Sequence, residues 1–327
     1  MKALVTGAAG FIGSHVAEAL VKDGAEVVAV DDLSGGFEDN VPKGALWKRG
    51  SVTDYVFLEK LFTKYRFDHV FHLAAYAAEG LSHFIRHYNY SNNLLGSVNL
   101  INLGVKYKIK CFVFTSSIAV YGKNQLPMAE DLVPCPEDPY GISKYAVELD
   151  LKAAHELFGL NSIIFRPHNV YGERQNIGDK YRNVIGIFMN QMLQKKPVTV
   201  FGDGEQTRAF SYISDVAGVI AQSVKTPKAY GQVFNVGGDV ATSVKKLAGI
   251  VAKEMGVTLE LHHLKARNEV VHAFASHEKI KKYFELAAPV SLEEGIHKMA
   301  IWAKKMGPRK SKPFAAIEIK ENLPEGW

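Results

Sequence analysis

Only two cysteines, Cys111 and Cys135, occur in 327 residues, and they stand in unlike surroundings, an apolar run and a gap between two prolines. That excludes a disulfide framework and points to a reduced, cytoplasmic setting. No window of about 18 apolar residues exists, so no membrane-spanning helix is expected. "MKALVTGAAG" enters a strand and a glycine turn directly, without the basic and apolar segments of a signal peptide. Charge of one sign is scarce too. Thirty-nine Lys and Arg against 34 Asp and Glu leave +5, spread along the chain, which argues against a nucleic-acid partner and suits an anionic small molecule. The twelve histidines show no ligand spacing, and "LHHL" (261–264) reads as a polar strand edge, so no metal is expected. No internal repeat and no low-complexity tract interrupts the chain.

What the sequence does contain is alternation. Strand-like runs at 2–7, 26–31, 45–50, 69–75, 110–117 and 162–167 are separated by helical spacing at 11–22, 54–66, 88–107 and 139–157. Strict alternation implies βαβ units around a parallel sheet, and the nearly all-apolar strands imply a sheet covered on both faces. The expected fold is therefore α/β, a Rossmann doubly wound parallel sheet over 1–167. Past residue 168 the alternation weakens into glycine-containing turns, read as a smaller C-terminal substrate-binding lobe over 168–327. "QVFNVG" (232–237) is apolar enough to return to the main sheet. The last stretch, "KKMGPRKSKPFAAIEIKENLPEGW", is either a loose tail or a strap across another surface.

"VTGAAGFIGSH" sets Gly7, Gly10 and Gly13 in a G-x-x-G-x-x-G pattern after a strand and into a helix. Glycines permit a tight turn and close backbone approach, and the helix N-terminus faces a pyrophosphate. The second strand ends in Asp31, where a carboxylate suits a ribose 2′-hydroxyl and repels a 2′-phosphate, so the expected cofactor is NAD rather than NADP. Tyr140 and Lys144, four apart on a helical segment, share a face. A nearby ammonium and the positive nicotinamide ring favour the phenolate and make Tyr140 a general base. Ser117 lies at the end of the fifth strand, where an open α/β sheet places ligands.

These motifs, with "VDDLSGG" (30–36), "FHLAA" (71–75), "NNLLG" (92–96), "TSSIAVYG" (115–122) and "YGISK" (140–144), resemble the extended short-chain dehydrogenases/reductases over most of the chain. The resemblance implies that Ser117, Tyr140 and Lys144 are catalytic. It places Phe11 and Ile12 in the cofactor loop, and Asp32, Leu33 and Ser34 on the adenosine side. Ser51 and Val52 fall near the adenine, with Ser51 where the family often has an acid. Leu73, Ala74 and Ala75 pass the nicotinamide ribose and phosphates, and Asn93 supports the active site.

Within that family the sugar-nucleotide dehydratases carry an Asp-Glu pair where this chain has Ile118 and Ala119, and the decarboxylases carry a Glu at the second position. Lacking both, the chain is similar to the UDP-sugar 4-epimerases, in which a 4-ketone takes hydride back on its other face. The resemblance then assigns Ser116, Ser117, Asn169, Val200, Phe201, Arg208, Arg267 and Glu269 to the UDP-sugar. Arg208 and Arg267 would hold the diphosphate, a task that suits a guanidinium. Three departures stand out: Ala209 and Ser276 where acids are frequent, and Arg86 where a proline is common. Arg86, Arg174 or Arg182 could meet a C6 carboxylate, so UDP-glucuronate stands beside UDP-glucose as substrate. Decarboxylation, dehydration or net oxidation on the same fold are the further alternatives, and His168 is left without a role. The resemblance also implies a homodimer built on the helices near 88–107 and 139–157.

Overall fold

The computed structural model describes residues 1–123, 125–266, 271–311 and 314–324. Seven strands, β1 (Lys2–Thr6), β2 (Glu26–Asp31), β3 (Leu46–Arg49), β4 (His69–His72), β5 (Cys111–Thr115), β6 (Ser162–Pro167) and β7 (Gln232–Val236), form one sheet in the order β7-β6-β5-β4-β1-β2-β3. Every neighbouring pair is parallel. The order reverses between β1 and β4, and a crevice opens there at the carboxyl ends of the strands.

The two-residue period of a strand sends alternate side chains to opposite faces. Ala3, Val5, Val27, Ala29, Val113, Ile163, Phe165 and Phe234 point into one core. Leu4, Val28, Val30, Phe112, Phe114 and Ile164 point into the other. The helix Phe11–Lys22 and the helix Ile213–Gln222 cover the first face, while Tyr55–Tyr65, Gly96–Lys106 and Pro139–Phe158 cover the second. "QVFNV" is the seventh strand, paired to β6 from Gln232 with Ile163 to Val236 with Pro167.

The local differences from the sequence expectation have physical causes. Strand β4 stops at His72 because residues 73–75 leave the sheet to line the crevice. The expected helix over 88–107 begins at Arg86 and contains a π turn, Ser91–Leu95, before Gly96–Lys106. That extra residue per turn carries Asn93 inward, where it is buried. Past β6, three small sheets pair 170–171 with 211–212, 198–201 with 261–264, and 207–209 with both 241–243 and 272–273.

The tail is a strap. Asn190 clamps the Arg309 backbone, its amide donating to the Arg309 carbonyl (2.9 Å) and its oxygen accepting from the Arg309 N–H (2.8 Å). The Phe314 ring then packs on Tyr76 and Tyr88, with centroids 5.1 and 5.0 Å away. The Glu318 carboxylate accepts from the His87 and Tyr88 N–H groups, both at 2.8 Å. Among the described residues, no helix is long and apolar enough to cross a membrane.

Candidate active site

One cavity of about 1500 Å³ runs from the glycine loop after β1, past the ends of β4, β5 and β6, to the strands at 198–201 and 207–209. A single ligand commonly needs roughly 300–1,000 Å³, so the space suits two large molecules end to end.

At one end the glycine loop is closed by sterics. Gly7 has φ +71°, and a Cβ on it would lie 2.7 Å from the Ala74 nitrogen; a Cβ on Gly13 would lie 2.0 Å from the Gly7 oxygen. Gly10 caps the following helix without any side chain, which leaves the first-turn N–H groups for an anion. Beneath the loop, Thr6, His72 and Ser97 form a buried chain through Thr6 Oγ1–His72 Nδ1 (2.7 Å) and His72 Nε2–Ser97 Oγ (2.8 Å). Burial pulls His72 down to about 3, so the ring is neutral there. A bare helix start beside a cradle that any side chain would fill fits a dinucleotide pyrophosphate.

Gly7, Gly10, Phe11, Ile12, Gly13, Asp31, Asp32, Ser34, Val52, Leu73, Ala74 and Ala75 all line the cavity. Asp31 is also committed locally, accepting from the Ala9 N–H (3.1 Å) and the Leu33 N–H (2.8 Å). Burial raises it above the usual carboxylate range even so. Three residues expected at the cofactor lie off the wall. Leu33 serves through its N–H, in a turn with φ +66°. The Ser51 hydroxyl turns to Thr53, 2.9 Å away. Asn93 stands behind the wall, where its side chain holds the Tyr76 N–H (2.8 Å) and carbonyl (3.2 Å) and so buttresses a ring that faces the cavity.

At the centre, Asp138 caps the helix Pro139–Phe158 by accepting from the Gly141 N–H at 2.9 Å. Tyr140 and Lys144 then point toward the end of β5. The Ser117 hydroxyl hydrogen-bonds the Tyr140 phenol and accepts from the Ala119 N–H (3.1 Å). Lys144 Nζ donates to the Thr115 carbonyl at 2.8 Å and lies 4.7 Å from the Phe114 ring centre. Burial draws the Lys144 amine down to about 7, while Glu148 one turn on opposes that shift. Burial drives Tyr140 upward, and the Ser117 hydrogen bond only partly offsets it. The expected depression of the phenol is therefore not a property of the chain alone: desolvation of a phenolate outweighs a lysine that spends its proton on a carbonyl.

Ser116 also borders the cavity, yet its hydroxyl donates to Glu148 (2.5 Å) rather than to the open space. Ile118 and Ala119 line the wall beside Ser117.

At the far end, Asn169, Val200, Phe201 and Arg208 line the cavity. Arg208 Nη1 donates to the Thr207 and Val271 carbonyls, both 2.9 Å. Arg267 and Glu269 fall outside the described residues. Of the three extra cations considered, Arg174 pairs with Glu18 (3.0 Å) away from the cavity, and Arg86 is exposed off its wall. Arg182 lines it, stacked 4.8 Å from the Tyr76 ring and bonded through Nε to Asp179 (2.7 Å).

Tyr76, Tyr88 and the tail residues Asn322 and Pro324 join the wall without any advance signal. Their approach is a long-range event that no local spacing encodes.

A doubly wound dinucleotide fold with a serine, a tyrosine and a lysine converging at the β5 end defines a class: dehydrogenase-type enzymes that exchange protons and hydride at a hydroxyl carbon. The chain belongs to the NAD dependent epimerase/dehydratase family, whose model matches residues 3–237. A UDP-glucose 4-epimerase of Thermotoga maritima, solved with UDP-glucose, is 34% identical with a TM-score of 0.90, over 94% of this chain and 99% of its own. A UDP-glucuronic acid 4-epimerase of Bacillus cereus, solved with UDP-glucuronic acid and NAD, is 31% identical with a TM-score of 0.87, over 94% and 100%. A UDP-glucose 4-epimerase of Mycolicibacterium smegmatis is 31% identical over 91% of this chain and 97% of its own.

Proposed function

We propose that the protein is an isomerase that interconverts the C4 epimers of a UDP-linked hexose, with NAD regenerated in each cycle. The observation that carries this is the pairing of Ser117, Tyr140 and Lys144 with an inert Ile118 and Ala119 at the same wall. When bound, the dinucleotide supplies a reversible hydride acceptor and a positive charge near the phenol. Tyr140 takes the proton of the sugar 4-hydroxyl and returns it, and Ser117 relays it through their hydrogen bond. Lys144 would hold the nicotinamide ribose. Elimination of water or loss of CO₂ would require a further acid or base, and Ile118 and Ala119 offer none. Asn169, Arg208 and Arg267 would grip the diphosphate, with Val200, Phe201 and Glu269 at the uridine.

The neutral hexose is favoured over the uronate by one observation. Arg182, the candidate cation on the wall, already has its charge matched by Asp179. The test is a panel of UDP-glucose, UDP-galactose, UDP-N-acetylglucosamine and UDP-glucuronate with products resolved by NMR. The expected result is a C4 epimer of unchanged mass from the neutral hexoses. Accumulating NADH, or a product lighter by water or CO₂, would sink the reading. A cytoplasmic homodimer completes it: both cysteines are free, and Leu95, Ile142 and Leu149 are exposed apolar residues on the two helices expected at the interface.

A further inference from the structure

His168 lies on the cavity wall immediately before Asn169, and both of its ring nitrogens are engaged. Nδ1 is 3.1 Å from the Ala209 carbonyl oxygen, and Nε2 is 2.9 Å from Nε2 of His277. His277 Nδ1 is in turn 2.6 Å from the Asp239 carboxylate. The rings stack at 5.1 Å, and both are buried. Room for them is built in: a Cβ on Gly237, at φ +156°, would sit 2.6 Å from His168 Nε2. The Ser211 hydroxyl fixes the same corner, donating to the His168 carbonyl (2.8 Å) and accepting from the Gly238 N–H (3.0 Å).

The protons can be counted. A carbonyl only accepts, so His168 Nδ1 carries a hydrogen. A carboxylate only accepts, so His277 Nδ1 carries another. Two facing Nε2 atoms at hydrogen-bond distance need one between them. Three protons on two imidazoles make a pair with one positive charge, balanced by Asp239. Burial works to raise Asp239, but the bonds from His277 and Lys281 outweigh it and hold the carboxyl below its usual range. Burial, then the neighbouring His277, pulls His168 down to about 4. The other charges at this corner are Lys281, 3.3 Å from Asp239, and Glu278, 3.2 Å from Lys281. Arg208, from the 207–209 strand, is turned to backbone carbonyls, and Arg166 of β6 is turned to Glu148.

The chain of bonds ends on the substrate side. The Ala209 carbonyl that receives His168 also receives the Asn169 side-chain amide at 3.0 Å, and it sits in the strand next to Arg208. We propose that His168, His277 and Asp239 form a proton-sharing relay that positions Asn169 and the Arg208 strand for a nucleotide diphosphate, so that diphosphate affinity follows the protonation of the histidine pair. This rests on the reading of the cavity as a UDP-sugar site. The sign follows directly: the third proton is present at lower pH and lost as pH rises. Two lone pairs would then face each other at Nε2, and the wall would relax.

Two measurements test it. The first is long-range ¹⁵N–¹H NMR of the imidazoles in the ligand-free protein, where three ring protons are expected on the pair near neutrality; only two would overturn the proposal. The second is calorimetric binding of UDP-glucose across pH for the wild type and for Asp239→Asn. Asparagine keeps an acceptor for His277 but removes the counter-charge. The pH step is expected to move to lower pH, and affinity at neutral pH to fall on the order of tenfold, with kcat unchanged. A wild-type pH profile in Asp239→Asn would refute the relay, since a merely structural role would leave the step in place. His168→Phe, if it melts like the wild type, should abolish the step. Failure of the wild type to bind UDP-glucose at all would instead refute the substrate reading, and the proton count would still judge the pair.

Discussion

Glu148 sits under the candidate active site, and its removal should be costly. Its Oε1 accepts from the Ser116 hydroxyl (2.5 Å) and from Arg166 Nε (3.0 Å), and Oε2 from Arg166 Nη2 (2.5 Å). The two charged side chains are 5% and 4% exposed. Once Glu148 is replaced by Ala, the guanidinium keeps Tyr121, whose ring centre is 4.7 Å away and whose hydroxyl hydrogen-bonds it, but has no carboxylate to match its charge. Its Nη1 already lacks a hydrogen-bond partner among the described residues. Leaving one member of a buried pair uncompensated costs about 3–5 kcal/mol. Unfolding entropy near 2.1 cal/mol/K per residue gives about 0.7 kcal/mol/K for 327 residues, so Tm should fall by ~4–7 °C. Differential scanning calorimetry of the cofactor-free protein measures this.

The companion is the double variant Glu148→Met with Arg166→Met. It should lose far less than either single change, because two apolar side chains leave no stranded charge. Glu148 also favours the charged form of Lys144 one turn away, so Glu148→Gln should cut turnover at neutral pH more than it cuts stability. A Glu148→Ala variant within about 1 kcal/mol of the wild type, or a double variant as unstable as the sum of the singles, would refute the account of this pair as the anchor between the Tyr140 helix and β6.

Three other outcomes follow from the same geometry. Tyr140→Phe should lower kcat by roughly 10²–10⁴ and leave NAD and UDP-glucose binding intact by calorimetry; undiminished turnover would remove Tyr140 as the base. Lys144 is neutral in the fold above about 7 but stays ammonium in the unfolded chain up to 10.5. The folded, cofactor-free chain therefore binds fewer protons across that window, and its stability should rise with pH there; Lys144→Met should flatten the rise in urea titrations. Phe314→Ala deletes two ring contacts of about 1 kcal/mol each, so NAD release measured by dilution should quicken about thirtyfold, and an unchanged release rate would show that the strap does not retain the cofactor.

The parts of this site that the sequence makes legible are those encoded by neighbours in the chain. Gly7, Gly10 and Gly13 declare a loop because each glycine answers a clash within a few residues or with the adjoining strand end. Tyr140 and Lys144 declare a face because four residues make a helical turn. The alternation of strand and helix declares the sheet, since each βαβ unit is local. What stays hidden is settled at long range. His168 and His277 are 109 residues apart, Glu318 and Tyr88 are 230 apart, and neither pairing leaves a period. The tail's strapping is hidden for the same reason: its apolar residues are few, and the partners of Phe314, Tyr76 and Tyr88, stand far away along the chain. Ser51 and Ser116 show the converse limit. Position in a motif brings a residue to the site, but a nearer hydrogen-bond partner, Thr53 or Glu148, takes its side chain.

The short turn Ile118–Tyr121 links these levels. Ser117 caps it, which places Ile118 and Ala119 on the cavity wall beside the Tyr140 phenol. The Ala119 carbonyl closes against the helix itself, since a Cβ on Gly141 would lie 2.6 Å from it. The turn is thus packed closely against the Tyr140 helix. Beside Ser117 this stretch of wall presents apolar side chains, and burial makes the Tyr140 phenolate costly to keep. A proton taken by Tyr140 is therefore strongly driven back to the oxygen it came from. A site so built favours closing its own cycle: with apolar Ile118 and Ala119 beside Ser117, return of hydride to the ketone is the favoured exit, on either face of C4.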